Sequence, residues 1–462
     1  GYTFDSGPSL YSGLSQPSAN PLRQVFDALE VELPCATYDR WGCLLPEGQF
    51  DTTVGAEQFL DILQRLRGNQ AVQEWQALQR KLEPYQAAAI ALPTAAVRLD
   101  PGAIVTMGRY ALPLLQHLPR MGQLTGAFAD LLTEVTDPFI RNWLDLLSFL
   151  ISGLPAAGTS AAAMAFMFAD WYRPGVTLDY PLGGSAALVN ALVDSLTEHG
   201  GTLRLNTPVD QVLLEGDRAV GVKLRNGETI RANQAVIANA SIWDTLPLLP
   251  DHPKLQTWRS DRAQIPPCPS FMHLHLGIDA TGLDPDLACH HIVVNDWALG
   301  VTAPQNVVLI SIPSILDSSL APPGKQAIHA YTPGNEPYER WAGLDRRSPE
   351  YAQLKDQRSQ VLWQALARVI PDIRDRAEVT LVGTPLTHAR FLRRHHGSYG
   401  PALAAGQAMF PGAQTPLTGL WCCGDSTFPG IGLPAVAASG MITANSLLPV
   451  HQHLGRLRSL GL

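Results

Sequence analysis

Apolar and polar positions alternate along this chain in two different styles. Between residues 55 and 174, apolar residues recur at helical spacing: Leu60, Ile62, Leu63 and Leu66, then Trp75, Leu78 and Leu82. Steps of three and four predict helices that bury one stripe each. Inside this region residues 146–169 carry no charge, a length that could span a bilayer. The breakers Ser152-Gly153-Leu154-Pro155 and Gly158-Thr159-Ser160 predict two short apolar helices instead. Residues 1–54 read as turn-rich, with one amphipathic helix over 22–29.

From residue 180 the period changes. Gly183-Gly184-Ser185 opens a helix over 186–198, which stops at His199-Gly200-Gly201. Short strands are predicted over 203–205, 209–214 and 219–224. Asn226-Gly227 predicts a hairpin turn with a return strand over 228–231. Residues 235–239 read as a short buried strand. Residues 270–332 read as antiparallel sheet, with Phe271, His273 and His275 on the face opposite Met272, Leu274 and Leu276. Further strands fall at 307–310 and 327–331, and a helix at 358–369. From Gly383 the style of 180–240 returns. The alternation predicts an α/β fold of two interleaved domains. One is built from 1–54, 175–262 and 383–462; the other, an α+β substrate domain, from 55–174 and 263–382.

The chemistry concentrates near the end. Residues 419–423 read as a strand, followed by Gly424, Asp425, a turn with Gly430 and Gly432, and a small-residue helix over 435–446. Pro434 would sit in the helix's first turn, where its missing N–H costs nothing. Gly430-x-Gly432-x-x-Ala435 matches a dinucleotide fingerprint, which a glycine-rich chain also produces by chance. The strand before it and the helix after it give the match weight. This arrangement aims the Asp425 carboxylate and a helix N-terminus at one small volume, as a dinucleotide's sugar hydroxyls and anionic groups require. The companion motif, a strand followed by G-x-G-x-x-G early in the chain, is not in this sequence, and the chain opens on Gly1. The expectation is a chain without its first nucleotide-binding unit, holding the dinucleotide weakly by itself.

Composition narrows the classes. Of 462 residues only 16% are charged, which implies a large core or an apolar tunnel. The net charge of −8 argues against nucleic acid as a partner. Cys35, Cys43, Cys268, Cys289, Cys422 and Cys423 form no C-x-x-C pair, so a disulfide framework is not expected and a reducing compartment is.

Several stretches together resemble the phytoene desaturase branch of the flavin amine-oxidase superfamily. They are residues 1–9, the Tyr180-to-Ser185 turn, the 209–239 hairpin unit and Gly424-Asp425 with Gly432. Residues 311–322, 383–392 and Gly397-Ser398-Tyr399-Gly400-Pro401, with Cys289-His290-His291, are similar to the carotenoid isomerase group within it. The resemblance implies FAD and a long apolar polyene. It implies that Asp5, Gly7 and Pro8 lie beside the flavin ring and that Val209 approaches the adenine through its backbone. Ala238 and Asn239 would sit near the cofactor, and Gly424, Asp425, Gly432 and Leu433 would contact the ribityl chain and ring. Ser185-Ala186-Ala187, Ile431 and Leu433-Pro434 depart from the group's pattern, which leaves the substrate open.

The histidines invite a metal reading. His273 and His275 share a sheet face, but no third ligand sits at a metal-site spacing, so no metal is expected. Arg393-Arg394-His395-His396 reads as a solvated basic patch and a place for peripheral membrane contact. His388 and Arg390 are catalytic candidates as orienting groups near the polyene, with a structural hydrogen bond or salt bridge as the equal alternative. Three functions fit this text: a cis-to-trans carotenoid isomerase, a desaturase or saturase of the same fold, and a non-catalytic carotenoid or lipid carrier. The first would work in a cytoplasmic or plastid-like compartment, peripheral to a membrane.

Overall fold

The computed structural model describes residues 1–7, 10–55, 57–173, 175–407 and 409–462. The chain begins with β1 (Tyr11–Ser12) and α1 (Pro21–Leu29). Asn20 caps α1 by accepting from the Leu22 N–H, and Leu22 and Phe26 bury its apolar stripe. Three strands follow where the sequence suggested turns only: β2 (Cys35–Tyr38), β3 (Arg40–Leu45) and β4 (Gly48–Thr53). The 41–45 run is buried almost throughout, so it lacks the alternation that betrays a half-exposed strand.

The helical region is α2 (Glu57–Arg67), α3 (Asn69–Ile90), α4 (Ala103–Gly108), α5 (Ala111–Leu124), α6 (Pro138–Ser152) and α7 (Ala161–Trp171). Asp137 starts α6 by accepting from the N–H groups of Phe139 and Ile140, and Gly153 ends it in the left-handed region. Ser160 then caps α7. The apolar 146–169 run is therefore split in two, as its breakers predict. Among the described residues no helix is long and apolar enough to cross a membrane.

Next come β5 (Leu178–Pro181), α8 (Ser185–Glu198), β6 (Val209–Glu215), β7 (Arg218–Leu224), β8 (Thr229–Arg231) and β9 (Val236–Ala238). Residues 203–205 form no strand: Asn206 turns the chain at φ +53 before a ladder can start. After α9 (Ile242–Thr245) and α10 (Gln256–Ala263) come β10 (His273–Asp279), β11 (His290–Val294), β12 (Val307–Ser311) and β13 (Lys325–Tyr331). The chain closes with α11 (Pro349–Val369), α12 (Ile373–Arg376), β14 (Ala377–Gly383), α13 (Pro385–Leu392), β15 (Leu420–Cys422), α14 (Leu433–Leu447) and α15 (Val450–Ser459).

One sheet organises the molecule. Its order is β14-β10-β13-β12-β11-β3-β4. All neighbours are antiparallel except β3, which lies parallel to β11. The hairpin Arg40–Thr53, which the sequence grouped with 1–54, thus extends the sheet of segment 263–382. One face of this sheet, with Leu274, Leu276, Ile310 and Ile328, packs against Leu362 and Leu366 of α11. The other, with Cys43, Ile292 and Val294, packs against the helical layer. There Phe59 meets Trp75 edge-on at a centroid distance of 4.7 Å and stacks on Trp143 at 5.1 Å. Small sheets complete the fold: β1-β5-β2, β6-β7-β8 and β15-β9.

Candidate functional site

β15 runs parallel to β9, with Leu420, Trp421 and Cys422 opposite Val236, Ile237 and Ala238. The Cys423 N–H donates to the Ala238 carbonyl at 3.0 Å. Both strands therefore end at one place, where open α/β sheets form ligand crevices. Gly424 follows at φ +102, and a Cβ there would lie 2.5 Å from Asn239 Oδ1. Only glycine combines that φ with that approach. The Gly424 N–H donates to Ser439 Oγ at 3.1 Å, which ties the turn to α14.

Gly432, at φ +99, is the N-cap of α14 and offers no side-chain cap. The first helical N–H groups are left without intrahelical acceptors and carry partial positive charge. A Cβ on Gly432 would meet nothing nearer than the Ile151 carbonyl at 3.8 Å. An open cradle edged by unpaired backbone donors suits the electron-rich edge of a planar cofactor. Leu433 and Ala437 pack against the cluster formed by Leu22 and Phe26 of α1 and Leu188 of α8.

Asp425 is not a free acceptor. Its Oδ2 lies 2.5 Å from Arg394 Nη2, and its Oδ1 accepts from Ser426 Oγ at 3.2 Å. Arg394 also donates to the carbonyls of Ser398 and Tyr399, at 3.0 and 3.2 Å. This corrects the reading of residues 393–396 as a solvated basic patch. Arg393 and His396 adopt left-handed backbone, which turns Arg394 inward. His395 stacks on Trp243 at 5.0 Å, and His396 on Tyr338 at 4.1 Å.

Asp5 joins the N-terminal segment to α8. Its Oδ1 accepts from the Ser185 N–H and its Oδ2 from Tyr180 Oη, both at 2.8 Å. A carboxylate at a helix N-terminus is favourably placed. Gly7 has open space on its side-chain side, and Pro8 lies outside the described residues. Val209 begins β6 opposite Leu224, in a sheet separate from β9 and β15. Ala238, Asn239, Gly424, Asp425, Gly432 and Leu433 are thus gathered around one turn. Asp5 reaches their neighbourhood through α8, and Val209 stands apart.

A second constellation lies on the large sheet. His275 is paired across strands with His329, and their rings stack at 4.3 Å and 7°. His273 Nδ1 lies 2.8 Å from His329 Nε2, and His273 Nε2 lies 3.2 Å from His388 Nδ1. The ring planes in those two pairs differ by 19° and 12°, so the contacts run edge to edge as N–H···N bonds. His275 Nε2 is 3.1 Å from the Asp5 carbonyl, on which it donates. Burial holds all four imidazoles below their ordinary value of 6.5: His273 and His329 far below, His388 at about 4. The chain of rings is neutral.

His329 is the third histidine that spacing did not reveal. Donor atoms of His273, His275 and His329 lie within 4.8 Å of one another. Their nearly parallel planes aim the lone pairs along the chain rather than at a common point. The only sequence signal was the alternation that sets His329 between Ile328 and Ala330, and the register with His275 was needed to use it. Arg390 does not join His388: it is exposed, its guanidinium 5.5 Å from the Phe391 ring centroid. His290 and His291 point to opposite sides of β11. His290 stacks on Tyr38 at 5.1 Å, and burial pushes His291 down to about 4.

This fold and this turn are those of a flavin-dependent oxidoreductase. Residues 1–448 match the family described as flavin containing amine oxidoreductase, and the chain belongs to it; the class of cofactor is a flavin. The chain is 33% identical over 338 residues to chloroplastic prolycopene isomerase of Arabidopsis thaliana, covering 72% of this chain and 55% of that protein. It is 26% identical over 354 residues to a neurosporene-forming phytoene desaturase of Cereibacter sphaeroides, covering 72% of this chain and 65% of that protein. The chain spans about half the length of the prolycopene isomerases it matches. An oxidoreductase from Methanosarcina mazei has the same fold, with a TM-score of 0.58 at 17% identity over 96% of this chain and 89% of that one.

Proposed function

We propose that the protein is an FAD-dependent enzyme that converts a poly-cis carotenoid into its trans isomer. The observation that carries this is the 33% identity with prolycopene isomerase over 338 residues. FAD is the flavin favoured by the two-part motif, Asp5 to Pro8 with Gly424 to Leu433. On this reading Gly424, Asp425, Gly432 and Leu433 meet the ribityl chain and ring. Asp5, Gly7 and Pro8 lie beside the ring, Ala238 and Asn239 nearby, and Val209 at the adenine. Segments 1–54, 175–262 and 383–462 serve the cofactor, less the hairpin Arg40–Thr53, which completes the large sheet. That sheet and segment 55–174 serve the polyene.

Bound and reduced, FAD would supply electron density that lowers the order of a polyene double bond, with no net redox change. The open N-terminus of α14 stabilises negative charge at the edge it faces. Arg394 fixes the orientation of the Asp425 carboxylate. The neutral imidazole chain ending at His388 gives an apolar substrate a wall without net charge, since an unpaired charge there would oppose burial. Arg390, exposed, stays outside that wall. Peripheral membrane contact and a cytoplasmic or plastid-like reducing compartment belong to the same reading.

Incubation of the protein with reduced FAD and poly-cis lycopene tests it. All-trans product of unchanged mass is the expected result; mass-shifted product alone, or none, overturns it. A desaturase or saturase is the second reading, favoured by the 26% identity with a phytoene desaturase. Product that has gained two hydrogens from the reduced flavin, or lost two when oxidised FAD is supplied as the acceptor instead, decides for it.

A further inference from the structure

Helices α4 and α5 stand out from the rest of the molecule. Ile104, Val105, Leu112, Leu115, Leu118 and Met121 are between 42% and 82% exposed. Leu124, at the end of α5, is that helix's one buried residue; it packs with Ala88 of α3 and Ala165 of α7. Tyr85 Oη reinforces this end by donating to Gln123 Oε1 at 2.5 Å. The preceding turns of α5 are half-buried at Leu114, His117 and Arg120 and present Leu112, Leu115 and Leu118 to solvent. An apolar ridge of this kind on one pair of helices marks an interaction surface.

The charge on this ridge is one-sided. From Pro101 to Ala129 there is no Asp or Glu, while Arg109, His117 and Arg120 fall within the stretch. Among the described residues neither Arg109 nor Arg120 enters a salt bridge. The whole chain carries a net charge of −8, so this face is basic against an acidic background. Exposed leucines at the centre with arginines beside them are the make-up of a helix that lies in a bilayer interface.

We propose that α4 and α5 dock the protein on an anionic bilayer surface. Leu112, Leu115, Leu118 and Ile104 enter the acyl boundary, and Arg109 and Arg120 meet lipid phosphates. The contact is peripheral and uses other residues than the 393–396 stretch, whose Arg394, His395 and His396 are engaged within the fold. The choice of a bilayer over a second protein copy rests on the charge and on the polyene reading, because a long apolar polyene resides in bilayers.

Vesicle co-sedimentation without substrate or flavin tests this independently of catalysis. The full chain is mixed with phosphatidylcholine vesicles, with or without a minor fraction of phosphatidylglycerol. Binding to the anionic vesicles is expected, weakening as salt rises. The double variant Leu112→Asp with Leu115→Asp should lose binding about tenfold or more, with its unfolding midpoint unchanged. The pair Arg109→Gln with Arg120→Gln should lose the preference for phosphatidylglycerol. Protein that stays in the supernatant with both vesicle types overturns the proposal. So does undiminished binding by the leucine variant, or a stable dimer in sedimentation equilibrium that this variant abolishes. Vesicle binding alongside failed isomerisation would sink the enzymatic reading and leave the docking face standing.

Discussion

Arg394 places a guanidinium nitrogen 2.5 Å from Asp425, so the acid of the glycine-rich turn before α14 is braced from a loop 31 residues earlier in the chain. Arg394 is 28% exposed at its side chain and Asp425 14%. Replacing Asp425 by Ala should strand the guanidinium and cost about 1.5–3 kcal/mol. Arg394→Ala should cost a similar amount. Urea unfolding of the single variants and of the pair checks this: a double variant that loses less than the sum identifies the coupling. Additive losses would mean the contact contributes nothing specific.

Gly424 should tolerate no side chain. Its φ of +102 and the 2.5 Å approach of Asn239 Oδ1 oppose a Cβ separately. Gly424→Ala is expected to destabilise by about 1–3 kcal/mol. Adding Asn239→Gly should recover the steric part and leave the backbone part. Thermal unfolding midpoints of the single and double variants separate the two contributions.

The histidine chain sets a pH dependence whose sign follows from its direction. The folded protein keeps His388 neutral down to about 4, and burial holds His273 and His329 well below the ordinary value too. The unfolded chain takes up those protons near the ordinary value of 6.5. Acid therefore favours unfolding, and stability should fall as pH drops from 6.5 towards 4, by about 1.4 kcal/mol per pH unit for each such histidine. Denaturant midpoints measured at several pH values test this, and His329→Phe should make the slope shallower. Stability that rises on acidification would mean the chain is charged in the folded state.

The aromatic core should be unforgiving. Trp143 is 1% exposed and stacks on Phe59. Trp143→Ala is expected to cost about 3–5 kcal/mol. Phe391, 72% exposed on α13, should change stability by no more than about 0.5 kcal/mol when made Ala. Chemical denaturation of the two variants side by side checks the contrast.

The elements that local text specifies were legible. Gly153 and Ser160 announce the break between α6 and α7, and the strand–glycine–helix order of β15 and α14 follows from residues next to one another. What stayed hidden depends on partners far away or on backbone that sequence does not advertise. β3 is buried on both faces because the helical layer covers Trp41, Cys43 and Leu45 while Leu44 joins the cluster under α11, and nothing between residues 40 and 45 names either. His329 joins His275 only once the strand register is known. Arg393 and His396 take left-handed backbone without being glycine, and that alone turns Arg394 from solvent towards Asp425. The pattern around 424–432 was readable; the brace on its acid was not.

The parallel pairing of β3 with β11 has a consequence for how the molecule is made. Arg40 of β3 bonds Asp286, just before β11 and 246 residues away, so an early hairpin waits for a late strand. As the chain leaves the ribosome, β3 and β4 emerge before the rest of the large sheet with one edge open, and the helical layer follows with half of its apolar floor missing. Contacts of such long sequence separation form slowly, and unpaired edges invite association in the meantime. Until β11 arrives the helical layer has no finished large sheet to rest on. Assembly of the large sheet waits for β10 to β14, and β3 is the strand most in need of a chaperone until they arrive.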